Sequence, residues 1–107
     1  MLYNKTISIY KKGNMRADEN GIPVYPWELV TTIKADVQPI TNAKVKKTYG
    51  EYDNVQYRVY VNEVIEGLNT SDYKVKYKSN EYIIKNVMAF EDILPYMELL
   101  IGDRNEN

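Results

Sequence analysis

Two residue types that carry much of enzyme chemistry are missing from this chain: it has no histidine and no cysteine. That removes the imidazole base, the thiolate nucleophile and the usual ligands for zinc or a transition metal. Carboxylates are left. The adjacent pair Glu91-Asp92 lies beside an apolar segment, flanked by Phe90 and Ile93. Neighbours in sequence rarely point the same way, so the pair reads as solvated or helix-starting rather than as an acid and a base. Asp36 falls in mid-strand, where a cross-strand lysine or Arg58 is its natural partner. Asp18, Asn20 and Gly21 match part of a calcium loop, but the glutamate required later falls on Trp27, which leaves a plain turn. The five glycines are scattered singly, so no phosphate-cradling loop occurs. These residues point away from an enzyme, and no metal or cofactor is expected.

Nucleic-acid binding needs cations beside aromatic rings. Lys74, Lys76, Lys78 and Lys85 lie close in sequence to Tyr73, Tyr77 and Tyr82. Alternation nevertheless puts Tyr73, Val75 and Tyr77 on one face of a strand and the lysines on the other, which sends the aromatics to the core. A net charge of −1 adds no global attraction to nucleic acid or membrane. Eleven tyrosines against one Phe and one Trp is an unusual balance. Tyrosine has an apolar body and a polar tip, which suits half-buried sheets and wet interfaces.

The elements that must position these residues are organised around Trp27 to Thr41, WELVTTIKADVQPIT. Its odd positions Trp27, Leu29, Thr31, Ile33, Ala35 and Val37 predict one buried face of a long strand, which Pro39 ends. Lys5 to Lys11 alternates around Ile7 and Ile9 and predicts an earlier strand. The turn formers between Lys12 and Pro23 join the two as a wide hairpin. Val55 to Val64 alternates again, with Val55, Tyr57, Val59 and Val61 on one face. Tyr73 to Tyr77, a turn at Ser79-Asn80, and Glu81 to Met88 predict a second hairpin, its last strand central because it is apolar on both faces. Met88 to Leu94 allows one or two helical turns before Pro95, and Tyr96 to Ile101 forms a last strand. Gly102 to Asn107 reads as a flexible tail.

The expected fold is all-β: a small antiparallel barrel of five to six strands with little helix, closed to hide its edges. At 107 residues it makes a single domain, residues 1–107. Composition, 44% hydrophobic and 27% charged, predicts a soluble domain. No apolar run is long enough for a signal peptide or a membrane span, so synthesis in the cytoplasm and no membrane contact are expected. One connection is too long for a compact domain. Residues 40–54, between the second and third strands, carry Lys44, Lys46 and Lys47 before Gly50, and Glu51 and Asp53 after it. Fully stretched, Thr41 to Asn54 spans on the order of 45 Å, and folded back it reaches roughly 20 Å beyond the body.

The order of these features resembles a known family. ISIYKK (Ile7 to Lys12), a DENG turn (Asp18 to Gly21) and a strand ending in VTTIKADVQPIT (Val30 to Thr41) are similar to the head-tail joining proteins of tailed phages, also called head-closure or stopper proteins. KKTYG (Lys46 to Gly50) resembles the branch found in phages and prophages of Gram-positive bacteria. YKVKYKSNEYIIKNV (Tyr73 to Val87) is similar to the family's second hairpin. The resemblance implies a barrel that assembles into a ring, a dodecamer in the virion and a monomer in isolation. It implies a portal or adaptor (head-completion) protein above and a tail-completion or tail-tube protein below. It also implies that the long loop faces the channel and helps retain packaged DNA. Lys44, Lys46, Lys47, Tyr49, Gly50, Glu51 and Tyr52 are then the channel-loop or DNA-facing candidates. The chain would be made in the bacterial host cytoplasm and would reside at the head-tail interface. The residues alone also allow a small β-barrel module that binds single-stranded nucleic acid or another protein.

Overall fold

The computed structural model, which describes residues 3–40, 55–92 and 94–103, contains the strands β1 (Lys5–Lys12), β2 (Arg16–Ala17), β3 (Pro23–Val24), β4 (Trp27–Pro39), β5 (Val55–Val61), β6 (Tyr73–Tyr77), β7 (Asn80–Phe90) and β8 (Tyr96–Gly102). Six of them close an antiparallel barrel in the order β1-β4-β5-β8-β7-β6, with β6 returning to β1. Closure satisfies the backbone along both sides of each wall strand and removes long open edges. No helix occurs among the described residues. β1 and β4 form the expected wide hairpin, and its turn-rich connection folds into the small β2–β3 hairpin.

The barrel interior follows the alternation. Ile7, Ile9, Ala35, Val37, Val59, Val61, Val75, Ile84, Leu99 and Ile101 are buried in one cluster. Tyr73 and Tyr77 join them, as the alternation requires, and so does Tyr82 from β7. Tyr57 meets Tyr77 and Tyr82 edge to face, each at 5.5 Å between ring centroids.

Three β-bulges shift the phase of this pattern. In β4, Thr31 opposes Ile9 and Leu29 opposes Tyr10, so Val30 is the extra residue. A one-residue insertion turns every side chain beyond it to the other face. Trp27 and Leu29, expected inside, therefore lie outside and are exposed. In β5, Gln56 is the extra residue against β8. Val55 accordingly leaves the main core and packs with Ile40 and Leu100 in a separate buried cluster. In β7 the extra residue is Lys85.

Other expectations are corrected locally. Met88 to Phe90 does not turn into helix: Met88, Ala89 and Phe90 continue β7 opposite Glu98, Met97 and Tyr96. Ladder pairing and the Phe90–Tyr96 stack outweigh a helical turn that would have buried little. The β6–β7 turn lies one residue earlier than Ser79-Asn80. Tyr77 pairs with Asn80, and Lys78 (φ 51°) and Ser79 (φ 67°) are the central residues. Two successive positive φ values make the turn that matches the right-handed twist of a hairpin. Gly102, assigned to the tail, is buried in β8 opposite both Val55 and Ile83.

Candidate functional site

Lys44, Lys46, Lys47, Tyr49, Gly50, Glu51 and Tyr52 lie outside the described residues. What the structure gives is the platform from which their segment departs. β4 ends at Pro39, whose ring supplies no further donor. The next residue, Ile40, donates its N–H to the Gln56 carbonyl at 2.8 Å, so the two roots are joined immediately beyond the ladder. The Ile40–Val55–Leu100 cluster packs these roots against β8. The Gln56 side-chain amide also donates to the Asp103 carboxylate, tying β5 to the end of β8. By register, the start of β1 and the Lys78-Ser79 turn share this end of the barrel.

The outer face of β5, β8 and β7 is polar at one end and aromatic at the other. Gln38 donates to the Asp36 carboxylate (3.0 Å) and accepts from the Arg58 guanidinium (2.9 Å), so the expected Asp36–Arg58 association includes a Gln38 bridge. Glu98 lies buried beyond Tyr60. Phe90 stacks on Tyr96 at 4.6 Å with the rings 13° apart, and Tyr60 approaches Tyr96 at 6.4 Å. A groove of about 770 Å³ opens beside them, lined by Tyr3, Phe90, Asp92, Leu94 and Tyr96 among others. Asp92 is exposed beside it, whereas Glu91 is exposed at a separate pocket lined by Val64, Ile65, Ala89 and Met97, so the pair does not converge on one site.

The outer face of β4, β1 and β6 is different. Lys74 sits 4.5 Å from the centroid of Trp27 and 3.1 Å from the Glu81 carboxylate. Lys12 lies 5.0 Å from the Tyr25 ring. Tyr10, Leu29, Lys74 and Lys76 share this face by register. Sequence reasoning missed it because the ring beside Lys74 is Trp27 of β4, turned outward by the phase change at Val30, and the ring beside Lys12 is Tyr25 from the link between β3 and β4. Asp18 resolves as a turn residue: its Oδ1 accepts the N–H groups of Asn20 and Ile22, both at 2.8 Å, at the tip of the β2–β3 hairpin.

This closed six-stranded barrel with an apolar core resembles a solved structure over nearly its full length. The solution structure of protein SF1141 from Shigella flexneri 2a superposes with a TM-score of 0.66 over 98% of this chain and 96% of that one, at 18% sequence identity. At that identity the likeness establishes the fold. No match was found among curated proteins. A sequence model described as phage head completion protein matches residues 2–104, from before β1 to beyond β8. With the match spanning every barrel strand, the chain belongs to the phage head completion protein family.

Proposed function

We propose that this chain is a head-tail connector of the head-closure, or stopper, type in a tailed phage or prophage. Family membership carries the structural head-completion role, a place in the virion and contact with other phage head and tail proteins. On our reading the chain is a single non-catalytic domain. It works in a ring, a dodecamer by family expectation, between the portal-adaptor complex and the tail. The likeness of KKTYG to Gram-positive phages supports that origin.

The observation that carries the finer reading is the root of the segment at residues 41–54. Its two ends are joined by the Ile40–Gln56 hydrogen bond and packed on Leu100, at one end of a closed barrel. A stiff base lets a ring of subunits aim identical segments at a common axis. Lys44, Lys46 and Lys47 would then meet DNA phosphates, with Tyr49 and Tyr52 able to stack and Gly50 as the bend. Charge neutralisation at several phosphates per subunit, repeated round the ring, would hold the packaged end.

The test is co-sedimentation with DNA-filled tailless heads, comparing wild type with a short Gly-Ser replacement of Ala43 to Asp53. Binding by both proteins, with DNA leaking only from heads capped by the replacement, is the expected result. Failure of wild type to bind any head, combined with salt-sensitive binding to free oligonucleotide, would overturn the connector in favour of the binding module.

A further inference from the structure

We propose that the tip of the β7–β8 hairpin docks a basic, apolar segment of a different protein. Apolar side chains of that segment fill two grooves, and its Lys or Arg side chains meet Glu66, Glu91 and Asp92. The inference deepens the connector reading and rests on it for the existence of a protein partner. Family membership supplies contact with other phage proteins but does not say where on the barrel it is made.

The pleat builds the two grooves. Phe90 pairs with Tyr96 and Ala89 with Met97, so successive residues of the hairpin end face opposite ways. Phe90, Asp92, Leu94 and Tyr96 line the groove of about 770 Å³. Val87, Ala89, Glu91 and Met97 line a second groove of about 540 Å³, to which the β5–β6 link adds Val64, Ile65 and Glu66. Apolar surface stays open to solvent here: Leu94 is 79% and Phe90 39% exposed, and Ala89 is exposed as well. Exposed apolar residues gathered between polar ones mark association surfaces. Met97 anchors the second groove, its sulfur accepting the Ile65 N–H at 3.0 Å. Ladder pairing and the Phe90–Tyr96 stack set the walls before anything binds, which keeps the ordering cost of docking low.

Charge selects the occupant. Residues 62–72 and 86–103 contain no lysine or arginine, and they supply Glu63, Glu66, Glu91 and Asp92, all exposed. Glu66, Glu91 and Asp92 make no ion pair among the described residues. Carboxylates at the rims of apolar grooves repel nucleic-acid phosphate and complement a cationic protein segment. A metal ion does not fit, since among the described residues no group of three acidic side chains could hold one. A second copy meeting this one tip to tip would juxtapose like charges. Position also separates the tip from the long connection. Val61 pairs with Met97 and Val55 with Gly102, so the tip and the root of residues 41–54 lie at opposite ends of the β5–β8 ladder. A strand of that length puts roughly 20 Å between them. A protein seated at the tip therefore leaves the loop root uncovered.

The probes are three synthetic peptides of equal length: one alternating lysine with leucine, one with glutamate for lysine, and one with serine for leucine. The first should bind and move the amide resonances of residues 64–68 and 87–97, and the other two should bind about tenfold more weakly or worse. Glu91→Lys with Asp92→Lys should cost about tenfold or more in affinity for the first peptide, and Leu94→Ser should weaken it too. Glu19→Lys with Glu28→Lys, the same charge change placed elsewhere, should leave it in place. Thermal melts establish that each variant is folded. Equal loss in the Glu19/Glu28 variant, equal binding of the glutamate peptide, or resonance shifts away from the tip would overturn the site. So would self-association of the wild type that Leu94→Ser abolishes, or oligonucleotide binding at the tip. DNA-filled tailless heads are then mixed with each protein and offered tails. The Glu91/Asp92 variant should fail either to bind heads or to join tails, while the Glu19/Glu28 variant completes both. Completion of both junctions by the Glu91/Asp92 variant sinks the site and spares the connector. A wild type that binds the lysine–leucine peptide at the tip but joins neither heads nor tails does the reverse.

Discussion

Tyr57, Tyr77 and Tyr82 show how a tyrosine-rich chain uses its commonest aromatic. Their rings pack edge to face within the barrel, where phenylalanine would serve equally for area. The hydroxyl adds a titratable group. Burial, and then the neighbouring Tyr57, raise the Tyr82 hydroxyl above the usual phenol range. A folded-state pKa above the unfolded one means that the folded protein holds its proton where the unfolded chain has released it. The Tyr82 contribution is therefore fully present below about pH 10 and is lost as pH rises further. Thermal melts from about pH 8 to pH 11 should show the midpoint falling at the alkaline end. In Tyr82→Phe part of that fall should vanish, at a cost of about 1 kcal/mol near neutrality for the lost hydrogen bonding. An alkaline slope identical to wild type would assign the loss to other groups.

At the scale of elements, the Val30 bulge matters most, because it decides what β4 shows to solvent. Leu29 and Val37 have the same parity in sequence but lie on opposite faces of the wall. Leu29→Lys should shift stability by no more than about 0.5 kcal/mol, as exposed substitutions do, whereas Val37→Lys should cost about 3 kcal/mol or more by burying a charge in the core. Urea unfolding of the two variants compares them directly, and equal costs would mean that β4 runs without its bulge. The wall strands were legible in the sequence because alternation is imposed locally by the pleat. Tyr73 and Tyr77 were legible for the same reason, and the long hairpin and the Asp18 turn because Asp, Asn and Gly form turns through local hydrogen bonds. Bulges were not, since they are set by the neighbouring strand and the apolar pair Leu29-Val30 fits both phases. Met88 to Phe90 was misjudged on the same ground: its partners Glu98, Met97 and Tyr96 are supplied by β8. Of the candidate site, the excess length between β4 and β5 was legible, while its hydrogen-bonded root and the Trp27–Lys74 face required the assembled barrel.

For the molecule as a whole, the proposed function puts stability and function in different residues. The barrel wall closes through β6 and β1, and its core draws on every wall strand. Residues 41–54 join β4 to β5, which are already paired from Asp36 to Pro39 and held beyond the ladder by Ile40. For such a connection the main thermodynamic cost is loop closure, which grows only with the logarithm of length. Exchanging Ala43 to Asp53 for four Gly and Ser residues should therefore leave the fold intact. It should raise stability on the order of 0.6 kcal/mol for each halving of the loop. In a domain of this size that is a rise of about 3 °C in Tm. Calorimetry of the exchanged chain measures it. A fall of several degrees would show that the segment packs on the barrel and carries part of its stability. A small rise, paired with loss of DNA retention in capped heads, would mean that a barrel stable by itself presents the segment for holding DNA in the head.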